Sequence, residues 1–269
     1  MLCLALSFTS MAGDLCADEL QVPVNDVFII QSSDNKQYRS IAQQLTEMLH
    51  GRNNIEVIQI EADQIHTMIN NETDLIVSIG NESRSSTEEY QPLAKRLYIT
   101  SRLQPNRADG NATLYMTQPY CRQLKMISLI EEKWRTIGLL YTEKNASSIE
   151  TIRACGDEFD LDLYAVRKET DGNLSDELKD VLAHSDVLLA LPDANIYNGN
   201  TAKNILLTSY RFRKPVIAFS ENFVTAGALA SIHSDTGQIA YSAGQIIHGY
   251  FQNGNRFEQK EYYPCLLYT

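Results

Sequence analysis

Small polar residues cluster directly after the short apolar runs of this sequence, and their side chains are suited to binding a polar molecule. In the first half of the chain the clusters contain Ser32, Ser33, Gly80, Asn81, Glu82, Ser83 and Ser101. In the second half they contain Tyr141, Asn145, Ser147, Ser148, Asp193, Asn195, Ser220 and Glu221. Hydroxyl groups and helix N-terminal N–H groups bind carboxylates, and a carboxylate binds an ammonium group. We therefore predict that the residues of these clusters bind a ligand.

Helix capping is the alternative role for these residues. Ser, Asn and Asp are favoured at helix N-termini whatever a protein does. For any single residue capping is the better interpretation, whereas for the whole set contact with a ligand is. Asp193 and Glu221 would face one cleft if their strands are neighbours, and two carboxylates opposite hydroxyl-rich loops suit a zwitterion such as an amino acid.

Motifs for catalysis, metal binding and cofactor binding are missing from the sequence. It contains no GxSxG, CxxC, HExxH, GxxxxGK[ST] or GxGxxG pattern. A pair of carboxylates serves glycoside hydrolysis only at a set separation, which nothing in the sequence fixes. His233 is the one histidine expected near the cleft, and a surface or interface role is favoured for it. We therefore expect no catalytic residue, no metal, no cofactor and no enzymatic activity.

The elements that position these clusters alternate between strand and helix. Between Ser185 and Asp235, the buried strands Val187–Leu191 and Pro215–Phe219 flank a helix over Thr201–Phe212, which is a βαβ unit. The same alternation begins at Val27 and fills two halves of similar size. The fold class predicted is α/β, with two doubly wound parallel-sheet lobes. Ligands of such sheets bind beyond the carboxyl ends of the strands, where the polar clusters fall.

Three stretches carry a resemblance to a known family: RTIGLLY at Arg135–Tyr141, LPDAN at Leu191–Asn195, and Lys214–Ser231. The chain resembles the substrate-binding component of bacterial ABC transporters, in the group with uncharacterised ligands that includes tryptophan/tyrosine-type binders. The resemblance extends more weakly from Val27 to Phe251. It implies a periplasmic-binding-protein-like fold of type I, with a ligand in the cleft between two lobes.

The resemblance also sets the expected lobe boundaries and shows some departures. The first lobe is expected to comprise 22–117 and 233–254, and the second 118–232 and 255–264. Glu221 stands where the family commonly has Asp, and Asn222 replaces the usual Gly. The stretch Asn81–Arg84, expected to be a loop, is more charged than its counterpart in the family.

The ends of the chain and its cysteines give further expectations. Residues 1–17 have the apolar run and small residues of a secretory signal peptide. Residues 265–269, CLLYT, match a translated sequencing adapter, so a truncated C-terminus with a non-native tail is expected. Cys121 and Cys155 remain, each on a predicted helix. In an oxidising compartment they could pair, but two separately buried thiols are the favoured interpretation.

The net negative charge of the chain argues against two classes of partner. The 269 residues carry a formal charge of −11, which argues against nucleic acid and anionic membrane surfaces. We expect a monomeric periplasmic solute-binding protein that delivers a small, amino-acid-like molecule to an inner-membrane ABC permease. The alternative is a ligand-sensing or interaction protein that signals to a membrane receptor or enzyme without transport, and the charged Asn81–Arg84 stretch is its main support.

Overall fold

Apolar runs and amphipathic segments alternate along the chain, and in a computed structural model they form strands and helices in that order. The structure describes residues 24–32, 35–50, 54–70, 73–90, 94–101, 110–169 and 172–264. The expected signal peptide at 1–17, Ser33 and the tail at 265–269 lie outside the described residues.

The elements up to the middle of the chain are β1 (Asn25–Gln31), α1 (Lys36–Leu49), β2 (Ile55–Ile60), α2 (Ile65–Met68), β3 (Leu75–Ile79), α3 (Asn81–Tyr90), β4 (Lys95–Thr100) and β5 (Ala112–Tyr115). They are followed by α4 (Tyr120–Ile130), β6 (Thr136–Tyr141), α5 (Ile149–Asp157), β7 (Asp162–Arg167), α6 (Leu174–Ala183), β8 (Val187–Leu189), α7 (Ala202–Phe212), β9 (Val216–Ala218), α8 (Glu221–Thr225), β10 (Ala230–Ser231), α9 (Thr236–Gln252) and β11 (Glu261–Tyr262). Short 3-10 helices cover Ala62–Gln64 and Glu143–Ser148.

The first lobe is built on a sheet whose strands run in the order β11-β5-β4-β3-β1-β2, and every pair is parallel. Helices α1 and α9 pack on one face, where Leu45 and Ile247 are fully buried in the core. These two helices approach closely at Gly244, where a Cβ atom would lie 2.6 Å from the sulfur of Met48. Helix α2 covers the other face through Ile65.

The second lobe is built on a parallel sheet with the order β10-β9-β8-β6-β7. One face packs against α4 and α5, which bury Leu124 and Ile152. The other face packs against α6 and α7, which bury Val181 and Ile205. The prediction of two doubly wound parallel-sheet lobes is therefore confirmed.

Each sheet has one strand at which the strand order reverses. β1 lies between β2 and β3, and β6 lies between β7 and β8. At such a switch point the connections leave in opposite directions, which opens a crevice at the carboxyl ends of the strands. The two switch points are therefore the positions at which each lobe can hold a ligand.

Gln118 ties together the segments that connect the lobes. Its amide nitrogen donates to Ser234 Oγ at 2.5 Å and to the Pro264 carbonyl at 3.3 Å, and its oxygen accepts from Arg122 Nη1 at 2.6 Å. Residues 116–119 lead into α4, and 232–235 lead back into α9. Because Gln118 is buried, these bonds hold the connecting segments side by side.

Helix α3 was expected to be a loop over Asn81–Arg84, and that expectation is wrong. Ser32 Oγ accepts a hydrogen bond from the Ser83 N–H at 3.0 Å, which satisfies a free donor in the first turn. Further along, Ser85 and Thr87 bond back to carbonyls four residues earlier. The helix reads NESRSSTEEY and has no apolar stripe, so periodicity gives no sign of it.

The assignment of residues 255–264 to the second lobe is also wrong at β11. Glu261 and Tyr262 pair with Thr113 and Leu114 of β5, in the first sheet. The chain turns immediately after α9, where Gly254 and Asn255 both have positive φ, so it returns along the lobe that α9 already covers.

Cys121 and Cys155 form a disulfide between α4 and α5, with Cα atoms 4.9 Å apart. The favoured interpretation of two separate thiols is therefore wrong. The pairing follows from the packing of α4 on α5 in the second core, which spacing along the chain does not reveal.

Removing the disulfide is expected to destabilise the second lobe. The bridged cysteines are 34 residues apart, so the variant C121A/C155A should lose about 3–4 kcal/mol of unfolding free energy from the freer unfolded chain. Urea unfolding followed by the fluorescence of Trp134, which packs against this core, measures the change. Wild-type protein in a thiol reductant should match the variant, and an unchanged midpoint would contradict the pairing.

Candidate ligand-binding site

A cavity of about 420 Å³ lies between the two lobes, a size typical of small-molecule sites. Residues of both lobes and of the segment that connects them line it: Asn81, Ser101, Thr117, Gln118, Tyr120, Gln123, Lys144, Asn145, Ser147, Ser148, Pro192, Asp193 and Ala194. Most of these side chains end in amide or hydroxyl groups. The cavity is therefore built to exchange hydrogen bonds with its contents.

The second-lobe wall is organised by Asp193, which follows β8 and is 4% exposed. Its Oδ2 accepts from Thr142 Oγ1 at 2.5 Å and from Asn145 Nδ2 at 3.2 Å, and its Oδ1 accepts from the Asn195 N–H at 3.0 Å. These bonds join the loop after β6 to the loop after β8 across the switch point. An ionised carboxylate offers about four acceptor positions, so three internal bonds leave room for one more donor.

Tyr120 and Ser148 form the neighbouring part of this wall. The Tyr120 hydroxyl donates to Ser148 Oγ at 3.3 Å, which joins the first turn of α4 to the 3-10 helix before α5. Burial raises the pKa of the Tyr120 phenol, although the bond to Ser148 opposes the shift. The phenol is therefore a neutral donor at physiological pH.

The first-lobe wall is formed where β3 and β4 end. Asn81 begins α3, and its side-chain oxygen accepts a 2.6 Å hydrogen bond from Thr100 Oγ1. Ser101 is exposed beside it. Fixing the carbonyl end of the Asn81 amide on Thr100 leaves its NH₂ group as the donor that can serve a ligand.

Charge in the cavity is limited to one group of each sign. Among the described residues that line it, Lys144 and Asp193 are the two that are charged. Across the described part of the chain, no group of three or more His, Cys, Asp or Glu side chains is arranged to hold a metal ion.

Six of the predicted site residues line this cavity together: Asn81, Ser101, Asn145, Ser147, Ser148 and Asp193. They come from the ends of four different strands in two lobes. The argument from strand ends therefore brings together residues that are more than a hundred positions apart in the sequence.

Ser32, Gly80 and Ser83 are used inside the first lobe instead. Ser32 and Ser83 are buried, and Ser83 Oγ donates to the Ile79 carbonyl at 2.9 Å. Gly80 has φ +97°, and a Cβ atom there would overlap Ser32 Oγ and the ring of Tyr38. The three residues hold the start of α3 against β1, which is the capping role that was the alternative.

Glu82, Tyr141, Asn195, Ser220 and Glu221 also lie off the cavity wall formed by the described residues. Glu82, Asn195 and Glu221 are exposed, and Tyr141 packs against the second core. Ser220 lines a separate groove beside α7 and α8, together with Tyr197, Phe219 and Phe223; we call this the α7/α8 groove. The strands before Asp193 and Glu221, β8 and β9, are neighbours, as the expectation of a shared cleft required. β9 lies one strand further from the switch point than β8, however, and Glu221 does not line the cavity with Asp193.

The residues that the sequence did not indicate come mainly from the start of α4 and the segment before it. Thr117, Gln118, Tyr120 and Gln123 all line the cavity. The apolar stripe of α4 predicts its buried face but not that its polar first turn closes the gap between the lobes. Lys144, next to the predicted Asn145, is the exception that the same strand-end argument could have included.

Residues 117–255, just over half of the chain, match the profile of the family described as ABC transporter substrate binding protein. The chain belongs to this family. The resemblance noted in the sequence is thereby confirmed, and solute binding on behalf of a membrane ABC permease is the activity that the family supports. Proteins of this family are extracytoplasmic. No helix in the described residues is both long and apolar enough to cross a membrane.

Solved structures with the same fold include members of this class. A ligand-free, open substrate-binding protein with adhesive properties from Clostridium difficile has 16% identity and a TM-score of 0.65, over 86% of each chain. An ABC domain from Streptococcus pneumonia in complex with L-Trp has 14% identity and a TM-score of 0.57, over 89% of each chain. A periplasmic ribose ABC transporter protein from Conexibacter woesei has 11% identity and a TM-score of 0.61, over 92% of each chain.

These neighbours confirm the periplasmic-binding-protein-like type I fold of the substrate-binding protein. At such low identity they establish the fold and leave the ligand open. No curated protein sequence matches the chain.

Asp193 gives a direct test of the second-lobe wall. The carboxylate of Asp193 accepts hydrogen bonds from three donors. In the variant Asp193→Asn one of its oxygens becomes an NH₂ group, which cannot accept from them. The variant should therefore lose about 1–3 kcal/mol of unfolding free energy. Thermal unfolding of the empty protein measures the loss. Asp180→Asn serves as the control. Asp180 is half exposed on α6, and its contacts with Tyr164 and His184 lie at the surface, so this variant should lose less than about 1 kcal/mol. Equal stability of the two variants would contradict the role of Asp193.

Proposed function

We propose that this substrate-binding protein captures an amino-acid-like zwitterion between its lobes and delivers it to an inner-membrane ABC permease. The observation that carries the proposal is the polar cavity between the lobes, with one cation, Lys144, and one carboxylate, Asp193. A cavity with balanced charge and many neutral hydrogen-bonding groups favours a small molecule that is itself balanced in charge. The L-Trp bound to the Streptococcus pneumonia domain is in keeping with this class.

The two charges of such a ligand have separate partners in the cavity. The remaining acceptor position of Asp193 suits the ammonium group, because a charge-assisted bond is the strongest that this wall offers. Lys144 and the hydroxyl of Ser147, both on the 3-10 helix after β6, suit the carboxylate. The Asn81 amide in the first lobe is positioned to donate from the opposite side.

Binding by residues of both lobes gives a mechanism for delivery. A ligand stabilises the arrangement in which both walls contact it, since only differential contacts shift a conformational equilibrium. Closure around the connecting segments beside Gln118 would then present a different surface to the permease. In this account the protein binds its ligand without chemical change, acts as a monomer and reaches the periplasm through the signal peptide at 1–17.

The charged stretch that supports the alternative of a sensing or interaction protein is partly used by the fold, although Glu82 is exposed. Arg84, the cation of the charged stretch, is 6% exposed, lies 4.7 Å from the centre of the Tyr98 ring and bonds to Glu88 at 2.9 Å. It serves the packing of α3 instead of offering a charge to a partner.

Isothermal titration of the protein with the twenty L-amino acids and with ribose tests the proposal. We expect saturable, one-to-one binding of at least one amino acid and none of ribose. Binding of ribose alone, or the absence of binding by any amino acid, would contradict the proposed ligand class.

Lys144 should contribute to this binding. The variant Lys144→Met is expected to bind the amino acid of highest affinity about fivefold more weakly. This is the effect expected from the loss of a partly exposed ion pair or charged hydrogen bond. Lys203→Met, at an exposed position of α7 beside the α7/α8 groove, is the matched control and should bind as wild type does. If the two variants bind with equal affinity, Lys144 does not contribute to ligand binding.

A further inference from the structure

The α7/α8 groove continues into a second hollow at the C-terminal end of α7. The groove occupies about 890 Å³ and the hollow about 630 Å³. Leu206, Tyr210 and Gly227 line both, so the two form one trough along α7, which we call the α7 trough. No described residue lines both this trough and the cavity between the lobes.

Large apolar side chains are exposed along the α7 trough. Tyr210 is 82% exposed, Leu229 is 51% exposed and Leu207 is 44% exposed, and all three line it. Single exposed apolar residues are ordinary, whereas a contiguous set in a concave surface marks an interaction site. Tyr is also among the residue types that contribute most to protein–protein binding. The trough therefore has the apolar surface that a docking site needs.

The charge of the α7 trough is opposite to that of the whole chain. Residues 194–220 contain no Asp or Glu but four cations, Lys203, Arg211, Arg213 and Lys214, in a chain with 34 acidic residues. All four line the trough. Within the described residues, Lys203, Arg211 and Arg213 make no ion pair with a carboxylate. The trough thus offers positive charge that the fold does not use.

The positions of these groups match a helical segment of a partner. α7 has 11 residues and is therefore about 16 Å long. Lys203 lies near its start and Arg211 near its end, with Leu207 and Tyr210 between them. An amphipathic helix binds a groove through its apolar face, and acidic residues near both of its ends would meet the two cations. A flat lipid surface does not fill a concave trough in this way.

We propose that the α7 trough binds an acidic amphipathic helix of a partner protein. Apolar contact supplies the affinity, and the cations select the acidic segment and its position. Two copies of this chain, each with a net charge of −11, repel one another, so a different protein is the favoured occupant. Because the trough is separate from the cavity between the lobes, the inference does not depend on the identity of the solute.

A pair of synthetic peptides tests the proposal. One fluorescein-labelled peptide of about four helical turns has Leu on one face and Glu elsewhere, and its counterpart has Lys in place of every Glu. By fluorescence anisotropy at low salt, the Glu peptide should bind at least about tenfold more tightly, and the difference should shrink at about 0.5 M NaCl. The net charge of the chain alone favours the Lys peptide. Equal binding, or preference for the Lys peptide, would overturn the inference.

Two double variants with the same net charge locate the binding surface. Lys203→Gln/Arg211→Gln should bind the Glu peptide roughly 3- to 10-fold more weakly than the wild type. Lys125→Gln/Arg153→Gln removes two exposed cations from α4 and α5, on the other face of the second sheet, and should bind as the wild type does. Equal weakening by both double variants would show that only net charge matters and would overturn the inference.

Tyr210→Ala separates the apolar contact from the charge. The side chain is largely exposed, so the variant should melt as the wild type does and bind the Glu peptide about tenfold more weakly. Unchanged peptide affinity in this variant would contradict docking in the trough.

Two further measurements address the other possible occupants. Sedimentation that shows dimers of the wild type but not of Tyr210→Ala would assign the trough to a second copy of the chain. Binding to phosphatidylglycerol vesicles that exceeds binding to the Glu peptide would assign it to a lipid surface. Either result would overturn the inference, whereas a monomer that does not bind the vesicles supports it.

Discussion

The site depends on a constraint that two parallel sheets share: their carboxyl ends have to face the same gap. The buried amide of Gln118 contributes to this arrangement, because it joins the segment entering α4 to Ser234 and Pro264 beside it. The ends of β3 and β4 form one rim of the gap and those of β6 and β8 form the other. Together they line one cavity of a size that suits a small molecule.

Hydrogen bonding divides the polar groups at the strand ends into two sets. Ser32 and Ser83 are used by the protein to start α3, and the bonds of Asp193 hold the loops of the second lobe together. The Asn81 amide, whose oxygen accepts from Thr100, keeps its NH₂ group available to a ligand. Buried polar groups are normally paired, so the first set maintains the fold and the second can serve a ligand.

The sequence predicts most strands and the two-lobe architecture because both sheets are buried on their faces, so their strands are continuous apolar runs such as Val187–Leu189. It does not predict α3, whose ten residues are polar and are held by serine side chains. Nor does it predict the Cys121–Cys155 bond, which depends on how α4 packs on α5. In these cases the determining interaction is tertiary and leaves no period in the sequence.

The lining of the candidate cavity was predicted in part for the same reason. Strand ends identify Asn81, Asn145 and Asp193, since a parallel sheet collects its carboxyl ends at one edge. Strand ends alone do not separate β8, next to the switch point, from β9, which explains the error at Glu221. The contribution of α4 through Gln118 and Gln123 depends on how the chain crosses between lobes, and no local pattern reports that.

The central claim is that one ligand contacts both lobes at once. Hydrogen–deuterium exchange of the backbone amides, with and without saturating amounts of the amino acid that binds best, tests it most directly. The account predicts slower exchange on binding in peptides from both walls, around Asn81 and Ser101 in the first lobe and across 142–148 and 192–195 in the second. Protection confined to one lobe, or to the α7/α8 groove, would contradict it.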